Sequence, residues 1–189
     1  ITSAEATFVG LADDLNLVDL VVLGDSLVKS GRCLPASLVD AASGTSRSVA
    51  QLRLRRAAGL VRAGVDSPME SRLRLLLVLA GLPEPVVNHI EYDDLGHWRR
   101  RFDLAYPSHR LAVEYDGRQH ADSPRQWERD VERREELDTD GWRLVVVLAK
   151  GIYREPARTL QRVQDAMVAV GLPGRVTSGE WRHHFPGHG

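Results

Sequence analysis

The sequence predicts an α/β fold, a sheet of strands with helices packed against it. Three observations point there. Residues 85–117 hold three strand-like runs, "PVVNHIEY", "HWRRRFDLAY" and "RLAVEYDG", joined by the turn-forming stretches "DDLG" and "PSH", and such short turns join antiparallel neighbours. A fourth run, "WRLVVVL", is apolar throughout, the pattern of a strand covered on both faces. Helix start and stop signals flank both groups, so the order from Pro68 onward is helix, three strands, helix, strand, helix.

"TSAE" at 2–5 has capping-box spacing, with Thr2 as cap and Glu5 three positions on, and predicts a helix to about Leu15. A second helix is expected from Leu17 to Lys29, stopping at Gly31, and Pro35 suits the first turn of a third. In "GVDSPMESRLRLLLVLAGLPEP", Ser67 caps, Pro68 takes the first helical position and Glu70 completes S-x-x-E; Gly81 and Pro83 end that helix. Ser123, Pro124 and Gln126 repeat the pattern and open a charged helix to about Asp138, stopped by Gly141. A last helix is expected over 156–170. Residues 171–189 read as an irregular tail rich in Gly, Pro and His.

The chain of 189 residues is 43% hydrophobic and 27% charged with a formal net charge of −1, the composition of a globular protein without an overall basic field. That length suits one domain of 66–170 preceded by a small all-helical segment, 1–65. The single cysteine, Cys33, excludes an internal disulfide and fits a reducing cytoplasm. No apolar run approaches the ~20 residues of a membrane helix. The chain opens with Ile1 and enters a helix at once, so it is read as a piece whose natural start lies upstream. Residues 41–65 carry Arg47, Arg53, Arg55, Arg56 and Arg62 and no acid. That stretch reads either as a phosphate-contacting surface or as arginines covering packed leucines.

The second hairpin holds the chemistry. With "PSHR" as a four-residue loop, Tyr106 pairs with Leu111, Ala105 with Ala112, and Asp103 lies opposite Glu114 with Asp116 on the same face. Ala105 and Ala112 leave room above that face, while Leu104, Tyr106, Leu111, Val113 and Tyr115 form the core face. Opposed carboxylates repel unless neutralised. A divalent cation with hard oxygen ligands does this, and magnesium typically takes one or two carboxylates and completes its shell with water and phosphate. Pairing with Arg99, Arg100, Arg101 or Arg110, exposure, or protonation of one carboxyl are the structural alternatives. Glu70 likewise has a purely structural reading, as the back-reaching member of its capping box.

The run from "SPMESRLRLLL" through "RFDLAYPSHRLAVEYDGRQH" to "RDVERREELDTDGWRLVVV" resembles the Vsr-like (very-short-patch-repair-type) endonuclease domains, a branch of the PD-(D/E)XK nuclease superfamily. The resemblance spans about 66–168. It implies a restriction-endonuclease-like αβββαβ core with a mixed central sheet. It also implies roles: Asp103 and Glu114 as motif metal ligands, Glu70 as the helix acid that completes the site, and His120, Asp130 and Arg133 as further polar positions of the branch. Asp116 stands where the motif expects lysine, which leaves His120 as candidate general base and Arg118 or Arg133 as candidate positive charge. With Cys33 outside the matching region, the zinc site of the mismatch-repair enzymes is not expected. The helical segment resembles the linker that follows a winged-helix domain in many bacterial proteins.

Taken together, the expected function is that of a bacterial, cytoplasmic, magnesium- or manganese-dependent DNA endonuclease. Asp103, Glu114, the Tyr115 carbonyl and Glu70 would hold the metal. Arg99, Arg100, Arg101, Arg118, Arg133, Arg110 and the 47–62 helix would hold the backbone of double-stranded DNA. Trp98 and Trp127 are either base-stacking or core residues. A DNA-binding or regulatory module that keeps the nuclease fold without activity is the alternative, with a metal-dependent hydrolase of another substrate as a third reading. Neither H-E-x-x-H nor a P-loop nor G-x-S-x-G occurs in the sequence, which leaves those hydrolase classes without support.

Overall fold

The computed structural model describes residues 2–43, 48–117 and 124–187, with backbone alone for 124–127, 129 and 130. The chain divides into two compact units, Ile1–Leu75 and Leu76–Gly189.

The first unit contains α1 (Ala4–Gly10), α2 (Leu17–Lys29), α3 (Pro35–Ala41), α4 (Val49–Leu60) and the first turns of α5 (Pro68–Leu79). The cap of α1 is Ser3, whose Oγ accepts from the Ala6 N–H at 3.1 Å; the expected cap, Thr2, lies one residue too early. Regular helix stops at Gly10, and 11–15 continue as single turns. Gly24 sits where α2 and α4 approach so closely that a Cβ would collide with Val61.

One buried polar node holds this unit. Arg74, fully buried, donates to Asp25 Oδ2 at 3.2 Å and to the Leu60 carbonyl at 2.8 Å. Ser71 Oγ and the Arg62 N–H add bonds to the same carboxylate at 2.7 and 2.8 Å. Burial raises the Asp25 carboxyl above the ordinary aspartate range, with Arg74 pulling the other way. The basic stretch divides its roles. Arg53 caps carbonyls of Ala12 and Leu15 at 3.0 and 3.1 Å, and Arg62 those of Gly59 and Val61. Arg55 and Arg56 face solvent, and Arg47 lies outside the described residues.

The second unit holds β1 (Val86–Tyr92), β2 (Trp98–Tyr106), β3 (Leu111–Asp116), α6 (Pro124–Thr139), β4 (Arg143–Leu148), α7 (Ala149–Tyr153), α8 (Pro156–Ala169) and α9 (Trp181–His184). The sheet order is β1-β2-β3-β4, with antiparallel pairing up to β3 and parallel pairing between β3 and β4. With the α5 helix before it, this is the αβββαβ order of a restriction-endonuclease-like fold with a mixed sheet. The parallel step follows from the crossover through α6, which a tight turn could not make.

Three features depart from expectation. β4 is an edge strand that both α6 and α8 contact: Val145 and Val147 are buried, while Leu144, packed against the Phe102–Leu137–Trp142 cluster, and Val146 are half-buried and also line a cavity. Its unbroken apolar run therefore reflects one fully packed face and one that is partly packed and partly a cavity wall. The room expected above Ala105 and Ala112 is filled by Phe102, Leu137 and Trp142, with Phe102 and Trp142 ring centroids 4.3 Å apart. Finally, residues 172–179 are irregular as expected, but α9 follows, and Trp181 and Phe185 are buried. The stretch before it returns to the end of α5, where Thr177 and Ser178 N–H groups bond to the Ala80 carbonyl and the left-handed Gly81 (φ 79°) has no room for a side chain.

Candidate active site

The β2–β3 connection is short because Pro107–His109 make one 3-10 turn and Arg110 closes it in the left-handed region (φ 48°). That turn sets the register: Tyr106 pairs with Leu111, Ala105 with Ala112 and Leu104 with Val113, the pairing expected from a four-residue loop. Leu104, Leu111 and Val113 are fully buried on the core face. On the other face, past the last regular pair, Asp103 Oδ2 accepts the backbone N–H of Tyr115 at 2.9 Å.

β1 shows why Asp103 is released from the ladder. Val87 pairs with Leu104 and His89 with Phe102, but between them Asn88 adopts φ 47° and makes no ladder pair with Asp103. Such a conformation is tolerated by asparagine and glycine and strained for other residues. The break lets Phe102 turn to the Trp142 cluster while Asp103 points to the adjoining cavity.

That cavity, about 330 Å³, is lined by Asp103, Glu114, Tyr115 and Asp116 from β2 and β3, by Arg101, and by Arg133 and Arg134 from α6, with Leu144 and Val146 as its apolar wall. Three carboxylates thus face three guanidinium groups. Glu114 is 9% exposed, and its Oε1 accepts from Arg133 Nη2 at 2.5 Å. Burial raises the Tyr115 phenol, with Tyr153 and Asp116 adding to the effect.

The arginine triplet is split. Arg101 lines the cavity. Arg99 and Arg100 instead pair with Asp140, Arg100 Nε lies 2.9 Å from Glu91 Oε2, and Arg110 donates to the Asp140 carbonyl at 2.7 Å. Glu91 also accepts from Trp142 Nε1 at 3.1 Å. Arg133, from α6, is thus an ion-pair partner of Glu114 that lies nineteen residues on in the chain. Trp98 is 65% exposed, so its reading as a core residue is excluded.

Glu70 belongs to the first unit. It is nearly buried, its N–H donates to Ser67 Oγ at 3.2 Å, and its Oε2 accepts from the Asp66 N–H at 2.9 Å. It therefore performs the helix-start role that the S-x-x-E spacing predicts, reaching one residue beyond the cap. Arg118 and His120 lie outside the described residues, as do the side chains of Asp130 and Trp127.

Among the described residues, no three histidine, cysteine, aspartate or glutamate side chains converge as a preformed metal cage. The donor set nevertheless fits a magnesium-type ion. The oxygens of Asp103 and Glu114 are of the hard type, magnesium uses one or two carboxylates, and a cation, the Arg133 guanidinium, already sits on Glu114.

Residues 92–167 match the model of REase_MTES_1575, a restriction-endonuclease-like family. The matched stretch runs from the end of β1 through α8 and contains the whole cavity lining, so it supports a nuclease-like domain. Two curated relatives, the uncharacterized proteins MT2308 and Rv2248 from two strains of Mycobacterium tuberculosis, are each 30% identical over 186 residues, covering 92% of this chain and 64% of theirs. The chain therefore spans just under two thirds of the relatives it matches. No solved structure matches it. Among the described residues, no helix is long and apolar enough to cross a membrane.

Proposed function

We propose that the second unit is a metal-dependent DNA endonuclease that hydrolyses phosphodiester bonds at the Asp103/Glu114 cavity. The observation that carries this reading is the convergence of Asp103, Glu114 and Asp116 on one cavity alongside Arg101, Arg133 and Arg134, inside the stretch that matches a restriction-endonuclease-like family. The finer assignment, to the Vsr-like branch, rests on the "VEYDGRQH" and "RDVERR" runs.

Asp103 and Glu114 are the residues that would hold magnesium or manganese, with the Tyr115 carbonyl as a further oxygen assigned by resemblance. A divalent ion bound there supplies an acidified water and polarises the scissile phosphate. The chain's own residues do the rest. The Tyr115 N–H fixes Asp103, and the β3 ladder to β4 fixes Glu114 opposite Val146. Arg101 and Arg134 on the cavity wall hold phosphate oxygens as bidentate donors. Leu144 and Val146 exclude water from one side. His120 is assigned the proton from the attacking water, the work that the absent motif lysine leaves open. Binding to DNA should weaken as salt rises, since it depends on phosphate contacts.

One observation favours the alternative, a DNA-binding module without activity: the position of the motif lysine is held by Asp116. Incubation of supercoiled plasmid with the full chain in magnesium, manganese or EDTA separates the two. Metal-dependent nicking is the expected result. Plasmid binding that is equally strong in EDTA, with no nicking in either metal, would establish the non-catalytic module instead.

A further inference from the structure

The ion pair between Glu114 and Arg133 joins a nearly buried carboxylate on a strand to a side chain that is 43% exposed on a helix. A paired arginine on a structural surface would stabilise its partner and have no further consequence. Here Glu114 lines the same cavity as Asp103 and Asp116, and its Oε1 is the atom that Arg133 holds. The guanidinium and a divalent ion therefore compete for one carboxylate.

We infer that Arg133 is a positioning residue that occupies Glu114 while the cavity lacks its cation, and that moves from the carboxylate to a phosphate oxygen of the substrate when cation and nucleic acid arrive together. This inference rests on the endonuclease reading for the identity of the phosphate, and on the geometry alone for the competition at Glu114.

Three features support it. A charge-assisted pair at 2.5 Å stabilises the cation-free cavity, because an unpaired carboxylate 9% exposed would be costly. Arg101 and Arg134 line the same cavity, so release of Arg133 does not strip its wall of positive charge. Finally, nearly half of the Arg133 side chain faces solvent, so it can swing outward without disturbing packed neighbours, and its planar fork suits phosphate as well as carboxylate. Two consequences follow. Cation affinity without nucleic acid is weakened by the work of removing Arg133. Cation and nucleic acid bind with positive coupling, since each rewards the displacement that the other requires.

The test is manganese binding to the full chain, followed by electron paramagnetic resonance of the free ion, without nucleic acid, for the wild type, Arg133→Gln, Arg133→Lys, and Arg133→Gln combined with Glu114→Gln. Arg133→Gln should bind manganese about tenfold more tightly than wild type, the scale of one charge-assisted contact. Arg133→Lys should fall between them, and the double variant should lose the gain. A second readout is the effect of a short duplex on manganese affinity: tightening in the wild type and little change in Arg133→Gln. Equal or weaker manganese binding by Arg133→Gln would overturn the inference, as would no measurable binding in any variant. If Arg133→Gln gains affinity and neither protein cleaves plasmid, the competition stands and the endonuclease reading fails. If affinity is unchanged and wild type cleaves plasmid, the reverse holds.

Discussion

Asp103, on β2, accepts the backbone N–H of Tyr115, on β3, through Oδ2 at 2.9 Å. A side chain thereby takes over where regular pairing of the two strands stops at Leu104–Val113. The carboxylate lines the same cavity as Glu114 and is fixed by a bond that an amide can also make. Structural and chemical roles of Asp103 can thus be separated. Asp103→Asn should change unfolding free energy by less than about 1 kcal/mol, because the Tyr115 N–H keeps an acceptor. Asp103→Ala should cost about 1–3 kcal/mol. Urea unfolding of both variants checks this, and equal losses would show that the bond to Tyr115 is not what Asp103 contributes.

The Asp140 cluster predicts acid sensitivity. Desolvation would raise the Asp140 carboxyl, but hydrogen bonds from Arg100 and Arg99 outweigh it and hold the group below the ordinary value of 3.8. A group whose folded pKa is depressed adds stability that is complete above its unfolded pKa and is lost as pH falls through the folded one. Asp140→Asn should therefore cost roughly 1–2 kcal/mol at pH 7. The gap to wild type should close as pH drops below 3.8. Unfolding curves of the two proteins along a pH series give the comparison; a gap that widened in acid would refute the sign.

In the first unit, Asp25 balances a fully buried Arg74. Asp25→Ala leaves that guanidinium without its counter-charge and should cost about 3–5 kcal/mol. Asp25→Asn keeps one of the two acceptor oxygens that the Arg62 N–H and Ser71 Oγ use and should cost less than alanine. Because burial raises the Asp25 carboxyl, its own contribution is greatest below the unfolded pKa and declines as pH rises through the folded one. Thermal melts at neutral pH check the ranking, and an alanine variant as stable as wild type would show that Arg74 finds water instead.

Asn88 supplies a fourth prediction. Its φ of 47° breaks the β1–β2 ladder beside Asp103. Asn88→Gly should be close to neutral, whereas Asn88→Val should cost about 1–3 kcal/mol, since a β-branched residue is strained there. Chemical denaturation distinguishes them; equal stabilities would mean that the backbone relaxes to regular pairing.

Much of this arrangement was legible in the residues. "PSHR" and the alternation of Leu111, Val113 and Tyr115 against Ala112, Glu114 and Asp116 set the register, because a slip by one residue would bury the carboxylates. S-P-x-E at 67–70 and Gly81 bounded α5 for equally local reasons. What was not legible depends on partners distant in the chain. Nothing near Arg53 announces that it caps carbonyls of Ala12 and Leu15. Arg99 and Arg100 look like a phosphate patch until Asp140, forty residues on, pairs with them. The alanine pair at 105 and 112 signals space, and only the fold reveals that Trp142 fills it. The one cue for Asn88 was the residue type itself, which is also common in ordinary turns. For β4 the apolar run did not reveal its place at the sheet edge beside a cavity, because a central strand has the same pattern.

Asp103 and Glu114 are proposed above as the reaction centre for phosphodiester hydrolysis. The most direct test of that role is single-turnover nicking of supercoiled plasmid in magnesium by the wild type and by Asp103→Asn, the substitution that keeps the bond to Tyr115. Loss of the carboxylate charge should slow cleavage on the order of 10²–10³-fold while the melting temperature stays close to wild type. Cleavage by Asp103→Asn at the wild-type rate would place the chemistry elsewhere in the protein.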